Sequence, residues 1–101
     1  MRNLANLMKQ AQKLQSKMQA LQEELGGRLV TAQAGGGMVE ATANGRQELV
    51  ALRIDPEVVT PEDVEMLQDL ILAAVNEALN RAREMMAQEM SKLTGGLPLP
   101  F

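Results

Sequence analysis

Residues 28–54 read RLVTAQAGGGMVEATANGRQELVALRI, and this stretch decides the fold. In its first run, 28–34, Val30 and Ala32 fall on one side and Leu29 and Thr31 on the other. Gly35-Gly36-Gly37 interrupts the alternation. In the second run Val39, Ala41 and Ala43 oppose Glu40 and Thr42, and Asn44-Gly45 follows directly. Asn-Gly between two alternating runs predicts a tight hairpin, because a type I′ turn needs positive φ at both positions. In the third run, 48–54, Val50, Leu52 and Ile54 alternate with Leu49, Ala51 and Arg53. Three period-two runs joined by turn residues predict a three-stranded antiparallel meander.

Both flanks of this stretch have helical periodicity. Residues 3–25 contain no Gly or Pro and are rich in strong helix formers, with Asn3 available as an N-cap. Leu4, Leu7, Ala11, Leu14, Met18, Leu21 and Leu25 keep an alternating 3,4 spacing, the a/d seam of a coiled coil. That seam is expected to be a buried, structural one. Gly26-Gly27 supplies the stop. On the other flank Asp55-Pro56 ends the third strand. Thr60-Pro61-Glu62-Asp63 then opens a second helix, with Thr60 as N-cap, Pro61 at the first helical position and two carboxylates at the positive end of the dipole. Its apolar stripe runs through Val64, Leu67, Ile71, Ala74, Ala78, Ala82 and Met85 to about Leu93, before Gly95-Gly96. The order is α-β-β-β-α in an α+β fold. Residues 1–94 form a single domain, and 95–101 (GGLPLPF) read as a mobile tail.

Element lengths add a constraint. The first helix is about 35 Å long and the second about 50 Å, whereas a seven-residue strand spans about 23 Å. Two long helices therefore project beyond the sheet with their apolar stripes uncovered. A homodimer is the expected remedy.

Composition narrows the chemistry. The 101 residues include no Cys, no His, no Trp, no Tyr and a single Phe, Phe101. Disulfides, thiolate metal sites and the Ser-His and Cys-His nucleophile pairs are thus unavailable, and an enzyme is disfavoured. No metal, cofactor or small-molecule substrate is expected. The Gly35–Gly37 run lacks the Lys-Ser/Thr of a P-loop and does not open a helix. The Glu62-Asp63-Glu65 cluster is accounted for by the helix start. No apolar run approaches a membrane span, so the expectation is a cytoplasmic protein with no membrane partner.

Net charge is −3, but unevenly placed. Residues 1–22 carry Arg2, Lys9, Lys13 and Lys17 and no acid; residues 55–69 carry Asp55, Glu57, Glu62, Asp63, Glu65 and Asp69 and no base. Lys9, Lys13 and Lys17, spaced i, i+4, i+8, form a ridge away from the apolar seam, with Arg2 on the same arc and glutamines between. Two readings stay open for it: the solvated face of a coiled coil, or a surface that neutralises phosphates. Arg81 and Arg83 stand among Glu77 and Glu84, as surface pairs or as a weaker nucleic-acid contact. With no aromatic stacking platform outside the tail, a nucleic acid held here would be a duplex contacted along its backbone.

Four segments carry a resemblance: LANLMKQAQKLQSKMQALQEEL (4–25), VTAQAGGGMVEATANG (30–45), RIDPEVV (53–59) and EMLQDLILAAVNEALNRA (65–82). Together they resemble the bacterial YbaB/EbfC family of small nucleoid-associated DNA-binding proteins, over nearly the whole chain including the end at Pro100-Phe101. The resemblance implies the α-β-β-β-α fold and a dimer joined through the sheets with tweezer-like helical arms. It also implies duplex DNA as partner and a place in the bacterial nucleoid, organising or protecting it and modulating gene expression. DNA contact carries over to Arg2, Lys9, Lys13 and Lys17, and more weakly to Arg81 and Arg83. The rival reading is a protein–protein adaptor or assembly scaffold without direct DNA binding, in which the a/d seam and the Met-rich end of the second helix take the partner.

Overall fold

A computed structural model describes residues 2–93. The tail read at 95–101 lies outside the described residues. The elements are α1 (Arg2–Gly26), β1 (Leu29–Ala34), β2 (Val39–Asn44), β3 (Leu49–Ile54) and α2 (Val64–Leu93), with short 3-10 turns at Pro56–Val58 and Pro61–Asp63. The three strands form one antiparallel sheet in the order β1-β2-β3. The expected α-β-β-β-α architecture is what the chain adopts.

The core is a helix laid on a sheet. Val39, Ala41 and Ala43 of β2 are buried on one face, next to Ala32 of β1, and Ala74, Ala78 and Ala82 of α2 cover them. Alanines on both sides let the helix approach the sheet closely; each is completely or almost completely buried. Larger side chains, among them Val30, Ile54, Leu67, Ile71 and Leu79, pack around this centre. The course of α2 is fixed at three points. Leu70 lies against Gly35, Arg81 donates from Nη1 to the Thr31 carbonyl at 2.7 Å, and Glu89 meets Arg28 at 3.7 Å. Thus α2 runs antiparallel to β1 and ends beside the root of α1.

Several local features depart from the expected ones. Helix α1 begins at Arg2, so Asn3 is inside it rather than capping it. At the second helix the Thr60 side chain makes no cap bond; the Asp63 carboxylate accepts the Met66 N–H at 3.1 Å instead. The β2–β3 connection is not a two-residue type I′ turn. Gln47 donates to the Asn44 carbonyl at 3.0 Å and takes the left-handed conformation at φ 61°, giving a three-residue loop, Gly45–Gln47. The Asn44 side-chain carbonyl secures it by accepting the N–H groups of Arg46 (2.9 Å) and Glu48 (3.1 Å). Gly45 is required for space, not for positive φ: a Cβ there would collide with the Leu25 carbonyl. The β1–β2 turn does use its glycines' freedom, with Gly35, Gly36 and Gly37 at φ 64°, 65° and 92°.

Strand β3 shifts register between Thr42 and Ala43, which pairs Leu49, not Val50, with Ala43. Leu49, Leu52 and Ile54 therefore share the helix-facing side and Val50 is the extra residue. Alternation read from sequence placed Leu52 and Ile54 correctly and exchanged Leu49 with Val50.

The seam of α1 is the largest correction. Only Leu25 is buried, and Met18 and Leu21 are partly so; Leu14 is 41%, Leu7 61% and Leu4 60% exposed. The reason is geometric. At 1.5 Å per residue α1 measures about 37 Å and α2 about 45 Å. The molecule is 73 Å long and 21 × 16 Å across, so the helices overlap for only about 9 Å, roughly six residues of each. Beyond its root α1 is an arm with nothing packed on it among the described residues.

Leu25→Ala is expected to cost about 2–5 kcal/mol. Leu14→Ala should cost the chain's own fold far less, about 1 kcal/mol or under, because that side chain already lies in water. Urea denaturation of the two variants checks this.

Candidate nucleic-acid interface

The arm is one uninterrupted α-helix, as expected of residues 3–25, which contain no Gly, no Pro and no β-branched residue. It is rooted at one corner. Leu25 is buried there, the β2–β3 loop presses against its carbonyl, and the Arg46 side chain lies over Gly26. Arg28, just past the helix, faces both Glu24 and Glu89 at 3.7 Å, which ties the corner to the last turns of α2.

Lys9, Lys13 and Lys17 project from one side of this arm and, with Gln12 and Ser16, line a shallow open depression. All five are exposed. None of the three lysines has an ion-pair or hydrogen-bond partner among the described residues, whereas Arg28, Arg53, Arg81 and Lys92 each face a carboxylate within 4 Å. Successive lysines stand about 6 Å apart along the axis, at 1.5 Å per residue. Arg2 belongs to the first turn of the same helix.

Arg81 and Arg83 lie elsewhere, on α2 over the sheet. Arg81 is committed twice, to the Thr31 carbonyl and to Glu77 Oε1 at 3.2 Å, and so fastens α2 to β1. Arg83 donates to Asn80 Oδ1 at 3.0 Å. The fold does not bring these two arginines onto the ridge of α1. It adds a cation that sequence spacing did not reveal: Arg46 shares a depression with Gln19, Gln22 and Glu23 at the root of the arm. Twenty-nine residues separate it from Lys17, and only the packing of the β2–β3 loop on Gly26 joins them.

The acidic segment is at the far end. Helix α2 begins at the Gly35 end of the sheet and α1 leaves from the Arg28 end, so residues 55–69 and the lysine ridge occupy opposite ends of the long axis. The axial run of α2 from Leu70 to Glu89 alone is about 28 Å, several times the Debye length of about 8 Å at physiological salt. Repulsion between the acidic end and an anion on the arm is therefore screened. Among the described residues no group of three or more acidic side chains is arranged to hold a metal ion, and no helix is long and apolar enough to cross a membrane.

A projecting basic arm on a small α-β-β-β-α body defines the class, and sequence comparison agrees. The YbaB/EbfC DNA-binding family matches residues 1–97, and the chain belongs to it. A nucleoid-associated protein of Moorella thermoacetica is 63% identical over 100 residues, covering 99% of this chain and 96% of its own length. Another, from Pelotomaculum thermopropionicum, is 59% identical over 98 residues, covering 97% of this chain and 93% of its own. Among solved structures, an uncharacterized protein from Helicobacter pylori superposes with a TM-score of 0.79 at 27% identity, over 90% of this chain and 96% of that one.

Because the three lysines hold no partner, replacing all of them with alanine should leave the melting temperature within a few degrees of wild type. Arg81→Ala removes the tie between α2 and β1 and should lower stability by about 1 kcal/mol. Calorimetry of the two variants distinguishes the free ridge from the structural arginine.

Proposed function

We propose that the protein is a homodimeric nucleoid-associated protein that grips duplex DNA through its backbone phosphates, with Lys9, Lys13 and Lys17 as the main contacts and Arg2 on the same arc. The observation that carries this reading is the unpaired lysine ridge on an arm that projects clear of the body. Charge favours it: α1 has no carboxylate before Glu23, so the phosphate-facing side meets no local repulsion. Arg81 and Arg83 are secondary contacts at most, since both already hold partners within the chain. Phosphate contacts fix position without reading bases, so binding is broadly sequence-tolerant and serves to organise or protect the nucleoid and to modulate gene expression. The protein acts in the bacterial cytoplasm with DNA as partner, and no catalytic step or small-molecule substrate enters the proposal. The relatives' name, nucleoid-associated protein, supports the same reading.

Dimerisation supplies a second arm. It is supported by the edge strand β3, whose Leu49, Val50 and Leu52 are all exposed. An apolar edge of this kind is a ready surface for a second copy. Light scattering should report about twice the 11.0 kDa chain mass.

The test is a salt titration of binding to random-sequence duplex. If six lysines in a dimer each neutralise one phosphate, their replacement by alanine flattens the slope of log K against log salt by up to about 5. The loss should be similar for all sequences. Undiminished binding by the folded triple variant would move the site elsewhere on the surface. No binding by wild type near about 50 mM salt, where phosphate contacts are strong, would favour the adaptor reading and its exposed Leu4, Leu7 and Leu14.

A further inference from the structure

The DNA reading leaves the apolar side of the arm unused. Leu4, Leu7 and Leu14 lie exposed on one side of α1 over about 15 Å, at 1.5 Å per residue. The lysine ridge runs along the same stretch of helix. A leucine row of this length, open to water and bordered by charge, has the make-up of a docking surface.

A second surface, at the other end of the molecule, has the complementary make-up. In the first turns of α2, Val64 and Leu72 are exposed and lie two i, i+4 steps apart, about 12 Å along the axis, with Val59 exposed just before them. Glu65 and Asp69 each follow one residue after a position on that row. They stand about 6 Å apart, the spacing of Lys13 and Lys17 on the arm. Among the described residues Glu57, Glu62, Glu65 and Asp69 face no cation within 4 Å, whereas Glu24, Glu40, Glu77 and Glu89 each do. Unpaired cations beside exposed leucines thus stand at one end, and unpaired carboxylates beside exposed Val and Leu at the other. The molecule is 73 Å long, so the two surfaces cannot meet within one chain.

We infer that the arm of one copy docks on the start of α2 of another copy, with Leu4, Leu7 and Leu14 against Val64 and Leu72, and the lysine ridge against Glu62, Glu65 and Asp69. Charge complementarity selects this occupant. A second arm is the poorer one, because residues 1–22 carry four cations and no acid, so two arms repel. The edge strand β3 is poorer too: its exposed Leu49, Val50 and Leu52 stand beside Arg53, and residues 49–54 contain no carboxylate. The contact joins unlike surfaces, so it is heterologous and passes from copy to copy into open chains. Exposed ion pairs are individually weak and screened by salt, so these chains form at high protein concentration and low ionic strength. The carboxylates occupy the same lysines that phosphates would occupy, so a duplex disassembles the chains; this last step alone rests on the DNA reading.

The chain has no cysteine, so Gln12→Cys carries a single spin label on the arm. The full-length spin-labelled protein is mixed with isotope-labelled wild type in the absence of DNA, and paramagnetic broadening of backbone amides is read between chains. Broadening within a dimer does not change with concentration; the docked arm adds a part that does. That part should fall on residues 59–72 several-fold more strongly than on strand 39–44, and fade as salt is added. Glu65→Lys with Asp69→Lys in the isotope-labelled partner should remove most of it. Glu48→Lys with Glu84→Lys, the same change in charge at other places, should leave it. Concentration-dependent broadening centred on residues 4–14 would mean arm on arm, and on residues 49–54 arm on sheet edge; either would overturn the proposal. So would no concentration-dependent broadening, or an equal loss in the two lysine variants. Because no duplex is present, failure of this contact and failure of the DNA reading are distinguishable.

Discussion

Three alanines of α2 against three alanines of the sheet hold this protein together, and most of the remaining architecture depends on that contact. Small side chains on both surfaces bring the helix axis close to the strands and leave no room for a larger residue at the centre. The close seat fixes α2 antiparallel to β1 and along its length. Its last turns then arrive at the corner where α1 ends. Because α2 is used up on the sheet, only about six residues of it remain to overlap α1. The arm projects because its potential partner is occupied elsewhere.

Projection has an electrostatic consequence. The same geometry that frees α1 places the acidic start of α2 at the other end of the molecule. A chain with net charge −3 thus presents a local surface of the opposite sign, with its acidic segment 55–69 several Debye lengths away. Other cations are drawn into pairs that brace the fold: Arg28 at the corner, Arg53 with Glu40 on the sheet, Arg81 between α2 and β1. The lysines of the arm stand outside this bracing, and that is what leaves them available to a polyanion.

Much of this was legible in the residues. Period-two alternation located all three strands, uninterrupted helix formers stopped by Gly26-Gly27 located α1, and the Thr60-Pro61-Glu62-Asp63 start with its apolar stripe located α2. What escaped was non-local. The Asn44-Gly45 pair carries the local signature of a type I′ turn, yet Gly45 answers to the Leu25 carbonyl on another element. The bulge that exchanges Leu49 and Val50 is set by strand pairing, not by composition. The a/d spacing of α1 correctly gave a helix and its apolar side. It did not tell whether a partner lies on that side, since periodicity reports a face and not its occupant. At the candidate site the i, i+4, i+8 lysines were visible as a ridge. Arg81's engagement with the Thr31 carbonyl and Arg46's place at the arm's root needed the tertiary structure, because fifty and twenty-nine residues of chain respectively separate the joined groups.

The central claim is that the basic side of α1, and not the sheet, receives the duplex. Titrating the isotope-labelled protein with a short random-sequence duplex and following backbone amide shifts tests it most directly. The account predicts that the largest shifts fall on residues 9–17, with Thr31, Gln33, Thr42 and Ala51 on the sheet's outer face unmoved. Shifts concentrated on that sheet face, with residues 9–17 silent, would contradict it.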